Sequence, residues 1–456
     1  MKPFFVGCAK RVITPEPGCE LAGFAARKGV ANGVHDDLFA GALVISCETR
    51  TVVLVSLDVI AISQELADSV RRAVGESLRI SPMDVMLCST HTHCGPVTIN
   101  HFFNPDQSLN LAYLAMFERK ILAAIQEAWQ QRKPSLIRAG MVPVQGIAVN
   151  RRSESGQPID PEAGVLLVED LDGVPTSILI NYACHPTVLG PDTLEVTGDF
   201  PHYLNRTICR ELGEDVLVLF FNGAEGDLNI GHKSWSTAVG AKSRSRTFEK
   251  AQEVGEALGR QVLLGLPSLV AEEPVLCRDS STVPLPLKHY EPLSWMQQVR
   301  ERAAAEAQLA EQMHAPGSEP SAELLEKRCA LLYASIDEYF AAEHERQGIT
   351  RLPAEVSVIR IGGTSIVTFP GEVFVATGLA IRKRSPFRCT LLLGLVNGYI
   401  GYVPTLEEAE NGGYEVVASQ VQATASALIE GTAHGLLETA FSRPCENHVA
   451  QTGASQ

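Results

Sequence analysis

No Cys-x-x-Cys pair occurs in this 456-residue chain, and its eleven cysteines are scattered, so spacing suggests neither a disulfide framework nor a zinc knuckle. No stretch reaches the roughly 18 apolar residues a membrane-crossing helix requires. The opening Met1-Lys2-Pro3-Phe4-Phe5-Val6-Gly7-Cys8 is too short in its apolar part for a secretory leader. Positive charge is scarce: 38 Lys and Arg stand against 53 Asp and Glu, and a formal charge of −15 argues against nucleic acid or an anionic membrane surface as partner. Missing too are the Gly-Lys-Ser/Thr of a phosphate loop, the G-x-G-x-x-G of a dinucleotide turn and the G-x-S-x-G elbow of serine hydrolases. These absences lead us to expect a protein of the reducing cytoplasm with no transmembrane segment, and several cysteines that sit inside apolar runs read as buried thiols. Self-association into a homo-oligomer is left open.

With 45% apolar and 20% charged residues, the chain has material for a large core. Short β-branched runs at 42–47 and 52–60, split by Glu48-Thr49-Arg50, predict a hairpin. Leu66, Val70, Val74 and Leu78 recur at helical spacing, and a second helix is expected over 111–131. Strands are expected around Ile137 and Val142, at 165–168, 177–182 and 216–221, and again at 356–361, 365–369 and 391–395, with a last helix over 419–439. Residues 291–346 differ, with apolar positions such as Leu325, Cys329, Leu332, Ile336 and Phe340 on one stripe and a break at Pro316-Gly317. The predicted architecture is α/β, a mixed sheet core flanked by helices, as one domain over 1–442 with a helical hairpin inserted at 291–346 and a flexible tail over 443–456.

Chemistry-bearing residues cluster where apolar strands end. The run Val85-Met86-Leu87-Cys88-Ser89-Thr90 leads into His91-Thr92-His93, and residues two apart on an extended backbone point the same way, roughly 6–7 Å apart. The run at 177–182 likewise leads to His185-Pro186, and later turns carry Glu372 and Tyr402. Imidazole and carboxylate are the usual ligands of a catalytic zinc, which keeps one position open for water. On spacing alone, His91 and His93 could both face one metal. The glycine-rich turn at 222–229 is not read as a phosphate cradle.

The ordered motifs resemble the neutral/alkaline (non-lysosomal) ceramidase family in its catalytic N-terminal part. They are Gly-x-x-x-x-x-Ile-Thr at 7–14, His-Thr-His-Cys-Gly-Pro at 91–96, Asn150-Arg151, Asn-x-x-x-His-Pro-Thr at 181–187, Asn-Gly-x-x-Gly-Asp at 222–227, Pro370-Gly371-Glu372, and Gly401-Tyr402 followed by Tyr414-Glu415. The resemblance implies Zn2+ held by His91, His185, Glu372 and Tyr402, with His93, Arg151 and Tyr414 around the reacting carbonyl. It also implies a metal-activated water that cleaves an amide (N-acyl) bond, and a small-molecule or lipid-like amide as substrate. His93 would then be general base and acid, and Arg151 and Tyr414 oxyanion donors. Cys94 and Asn229 stand where the family carries serines, and neither the secretion signal nor the C-terminal immunoglobulin-like domain of secreted ceramidases is expected for this chain. Asp199 and Asp227 are candidates to orient a ligand histidine. His35 is expected near the pocket, and His101, His202 and His232 at the surface or in ordinary hydrogen bonds. A zinc esterase, lactonase or acyl transferase is the alternative, because the same donors serve any acyl carbon; a non-catalytic binding protein ranks behind both.

Overall fold

Strands rich in Val, Ile and Leu, buried on both faces, set the architecture. The computed structural model describes residues 3–101, 109–241, 243–314 and 319–443. Its larger sheet runs, in spatial order, Leu217–Asn222, Pro175–Tyr182, Glu162–Glu169, Lys133–Pro143, Phe4–Val12, Phe39–Cys47, Arg50–Leu57 and Val85–Ser89, with Val270–Ala271 added beside Lys133–Pro143. The pairs at its two ends are parallel and the pairs between them antiparallel. The hairpin read from the sequence is there, Ala40 opposite Leu57 through Cys47 opposite Arg50. The two strands expected around Ile137 and Val142 are one continuous strand.

A second sheet of four strands, Leu276–Pro286, Arg351–Ile361, Thr364–Thr368 and Cys389–Leu393, packs on the first. Leu54, Leu166, Leu179 and Phe221 of one meet Ile359, Ile366 and Leu391 of the other in a buried apolar layer. Full burial of such side chains stabilises by about 1.5–3 kcal/mol each. The outer face of the large sheet is covered by Gln64–Leu78 and Leu111–Gln130 at one end and by Phe200–Leu212 and Phe248–Gly265 at the other. Thr424–Ser442, which begins later than the predicted last helix, covers the small sheet. Polar caps start several helices: Ser63 accepts from the Leu66 N–H at 3.2 Å and Asn110 from that of Tyr113 at 3.0 Å. The mixed α/β class with flanking helices is as expected.

The hairpin predicted over 291–346 is present as helices Leu293–Met313 and Ala322–Gln347, tied by ion pairs such as Lys327–Glu306 at 2.9 Å. Ile336 and Phe340 of its apolar stripe join Phe374, Tyr402 and Tyr414 in one cluster, so the hairpin reaches the region of the candidate site. The break at Pro316-Gly317 and nearly all of the tail, 444–456, lie outside the described residues. Among the described residues no helix is long and apolar enough to cross a membrane.

Ser56 Oγ donates to the Phe220 carbonyl at 2.6 Å, so the two ends of the large sheet curl toward each other. That curl brings the turns after Val85–Ser89, Pro175–Tyr182 and Leu217–Asn222 to one place.

Candidate metal centre

His91 does not continue the strand before it. Its φ is +72°, in the left-handed region that costs a non-glycine residue about 1–2 kcal/mol. The expectation of two histidines side by side on an extended backbone is therefore corrected: the kink turns their rings to 77° with centroids 4.9 Å apart. His91 Nδ1 lies 2.7 Å from the Ile60 carbonyl and must donate to it. Nε2 is left as a lone pair, 3.5 Å from Glu372 Oε2.

His185 repeats this device from another strand end. Its Nδ1 faces the carbonyls of Glu225 and Leu228 at 2.9 and 3.0 Å, and its Nε2 lies 2.8 Å from the same Glu372 oxygen. Backbone carbonyls therefore set both tautomers, a role the sequence reading had considered for Asp199 and Asp227. Asp199 instead accepts from the N–H groups of Val188, Leu189 and Phe200, and Asp227 from Asn150 Nδ2 and the Val375 N–H. Both carboxylates hold site-bearing loops in place.

Glu372 sits on a two-residue parallel bridge to Tyr402 and receives the Tyr399 hydroxyl on Oε1 at 2.6 Å. Burial works to raise its pKa, but positive charge at the His91 and His185 rings, the charge a bound cation would supply there, outweighs that and holds it well below the ordinary value. Glu225, which the sequence reading passed over as part of a glycine-rich turn, faces the same spot. It is fully buried, and neither carboxylate oxygen has a hydrogen-bond partner. Burial first, and the charge of Glu372 second, push its pKa well above normal. One ligand atom from each of His91, His185, Glu225 and Glu372 lies within 4.8 Å of the others. Gly226 permits this approach, since a Cβ there would come 2.4 Å from the Glu372 carbonyl.

This donor set fits a divalent cation. Two imidazole lone pairs and a carboxylate oxygen face one another with no proton assigned between them, and a second carboxylate lies unsatisfied beside them; a cation resolves both conflicts.

His93 lies outside this cluster, its ring centroid 6.2 Å from that of His185, and both of its ring nitrogens are inaccessible to solvent and without a partner. Burial, then the neighbouring His91 and His185, lower its pKa well below normal, so the ring is neutral. A Cβ at Gly23, whose φ is +99°, would stand 2.4 Å from His93 Cγ, so the Gly23 loop can lie over the ring only as glycine. His93 lines a cavity of about 40 Å³ together with Arg151, Asn229, Arg246, Tyr402 and Tyr414. That space holds roughly three waters.

The remaining predicted residues meet around this cavity. Arg151 donates through Nε to Glu415 at 2.8 Å, and through Nη2 to the Gly226 carbonyl at 2.9 Å and the Tyr402 hydroxyl at 3.2 Å. It is thus an oriented, neutralised cation. The Tyr402 ring lies nearly parallel to His185 at 6.3 Å and at 73° to Tyr414 at 6.2 Å. Asn229, at the family's serine position, is locked with Oδ1 accepting from the Gly231 and His232 N–H groups. Of the other histidines, His35 bonds Asp36 at 2.9 Å and stacks on Phe248. His202 also reaches Asp36, at 3.3 Å. His101, expected at the surface or in ordinary hydrogen bonding, is buried with its ring 5.0 Å from that of Tyr399.

Residues 4–205 match the family model described as neutral/alkaline non-lysosomal ceramidase, N-terminal. The fold is similar to that of neutral ceramidase from Pseudomonas aeruginosa, with a TM-score of 0.72 at 18% identity over 96% of this chain and 75% of that one. It is similar also to a ceramidase complexed with C2, with a TM-score of 0.71 at 17% identity over 96% of this chain and 76% of that one. The resemblance carried by the motifs is borne out. The matched segment contains His91, His93, Arg151 and His185, whereas Glu225, Glu372, Tyr402 and Tyr414 lie beyond it.

Proposed function

We propose that the chain is a zinc-dependent hydrolase that cleaves the amide bond of an N-acyl substrate in the manner of a ceramidase. The observation that carries this reading is the convergence of His91, His185, Glu225 and Glu372 within 4.8 Å, with the Glu225 oxygens unsatisfied. His91, His185 and Glu372 are the assigned ligands. Tyr402 completes the set in the reading from motifs, and Glu225 is a further oxygen donor at the same centre. A zinc ion in such a setting supplies Lewis acidity, which lowers the pKa of a bound water toward about 7 and polarises an acyl oxygen.

The protein's own groups divide the rest of the work. In the net reaction the oxygen of water joins the acyl carbon, the C–N bond breaks, and the amine leaves with a proton. His93 is neutral, lines the cavity and has no partner at either ring nitrogen, which suits it to take a proton from water and deliver it to the amine. Arg151, held by Glu415, and Tyr414 flank the place where negative charge develops, and a pre-aimed donor of this kind contributes roughly 3 kcal/mol. Because the ligands come from positions 91 to 372, we assign the catalytic unit to 1–442 as a whole, with the helical pair inside it.

The test is hydrolysis of N-acyl amides, a short-chain ceramide among them, beside matched esters, with metal content measured on the same preparations. Zinc-dependent amide cleavage that is lost in His91→Ala is expected. Full activity in metal-free protein would overturn the assignment, and cleavage of esters alone would move it to the esterase reading.

A further inference from the structure

We infer that the substrate carries an anionic group, a carboxylate, received by Arg246 on the wall of the His93 cavity; this rests on the amide-hydrolase reading above. Arg246 is half-buried and lines the cavity shared by His93, Tyr402 and Tyr414. Its Nη1 donates to the carbonyls of Leu189 at 2.9 Å and Thr187 at 3.4 Å, and its Nη2 to Thr237 Oγ1. Those partners orient the guanidinium but carry no net charge. Among the described residues Arg246 makes no ion pair. Two carboxylates, Asp199 and Asp192, act on it only from a distance: Asp199 is taken up by three backbone N–H groups, and Asp192 is exposed to solvent.

The arginines on the other side contrast with it. Arg151 and Arg152 share Glu415, and Arg152 also holds Glu408 at 2.8 Å. Near Arg246 the excess of positive charge instead grows. Phe24 lies under Arg246 at 5.9 Å and under Arg27 at 4.9 Å. Arg27 likewise makes no ion pair among the described residues, and its Nε has no partner. Burial pulls the Arg246 pKa down to about 10, as expected of a cation short of compensating charge. A half-buried guanidinium fixed by neutral acceptors on a small polar cavity is a receptor for a planar anion. The class of substrate this selects is a small N-acyl amino acid or similar carboxylated amide, rather than a neutral amide.

The test compares kcat/KM of the zinc-loaded enzyme on an N-acyl amino acid, the matched N-acyl amine lacking the carboxylate, and its phosphate-bearing counterpart. The wild type is expected to prefer the carboxylate by at least about tenfold. Arg246→Met should erase that ratio through KM, and Arg246→Lys should restore part of it, which a purely structural staple would not do. An unchanged ratio in Arg246→Met, or a wild-type preference for the neutral or the phosphate substrate, would overturn the inference. Should none of the three be cleaved, the hydrolase reading fails, and calorimetric binding of the N-acyl amino acid then decides the anion site alone. Binding at least about tenfold weaker in Arg246→Met and partly recovered in Arg246→Lys supports it, and equal binding in all three proteins overturns it.

Discussion

Glu372 and Glu225 face the same buried centre in opposite company. Glu372 has the Tyr399 hydroxyl on one oxygen and two imidazoles at the other, and its pKa is held well below normal. Glu225 has no hydrogen-bond partner for either oxygen, and burial together with Glu372 pushes its pKa well above normal. Two carboxylates so placed cannot both be ionised unless positive charge joins them. The difference between them locates where a cation is wanted: on the side of the histidine lone pairs that Glu225 closes.

The comparison breaks most severely if Glu372 is removed. Glu372→Ala should abolish stoichiometric zinc and lower turnover by more than about 10³-fold, checked by atomic emission on the purified protein and by single-substrate kinetics. His93→Gln tests the other side of the division of labour. It should keep its zinc while losing about 10²-fold or more in turnover; a parallel loss of metal would make His93 a ligand instead of a proton carrier.

Glu225→Gln sharpens the contrast directly. Zinc affinity, measured by competition with a chromophoric chelator, should fall about 10- to 100-fold, and the rise in Tm that zinc produces should shrink with it. The Tm of the metal-free variant, in contrast, should not fall below that of metal-free wild type, because the substitution removes an unsatisfied buried acid. An unchanged affinity would place Glu225 outside the metal's reach.

Asp58 is a carboxylate whose pKa is shifted by none of the four residues of the centre. Burial raises its pKa to about 7, although the Phe39 N–H at 2.8 Å works in the other direction. In the unfolded chain an aspartate titrates near about 4. Between these values the folded protein holds a proton that the unfolded chain has released, so this contribution to stability is complete below pH ~4 and is lost as pH rises toward ~7. Asp58→Asn should therefore gain on the wild type by up to about 4 kcal/mol across that window in denaturant melts, with or without zinc. A gain that appears only in the metal-free protein would tie Asp58 to the centre.

Much of this was legible in the chain, for identifiable reasons. His91, His185 and Glu372 stand one short turn past apolar strands, and period and composition reveal strand ends. Glu225 stands in the open in Asn222-Gly223-Ala224-Glu225-Gly226-Asp227, but it falls at an unspecified position of the Asn-Gly-x-x-Gly-Asp motif, which directs attention to Asp227 instead. The lack of partners at Glu225 is a fact of tertiary burial. The carbonyls that orient His91 and His185 belong to Ile60, Glu225 and Leu228, and no side-chain pattern marks a backbone acceptor. The left-handed turn at His91 was hidden for the same reason: the sheet and the Ile60 carbonyl impose a conformation that the residue's own preference opposes. Arg246 drew no attention in the sequence, since what sets it apart is the absence of an acid beside it in space.

The most direct test of the account is a crystal structure of the zinc-loaded protein with anomalous data collected at the zinc edge. The account predicts one peak bonded to Nε2 of His91, Nε2 of His185 and a carboxylate oxygen of Glu372, at distances of about 2.0–2.2 Å. A centre with no peak, or a peak held by other residues, would contradict it.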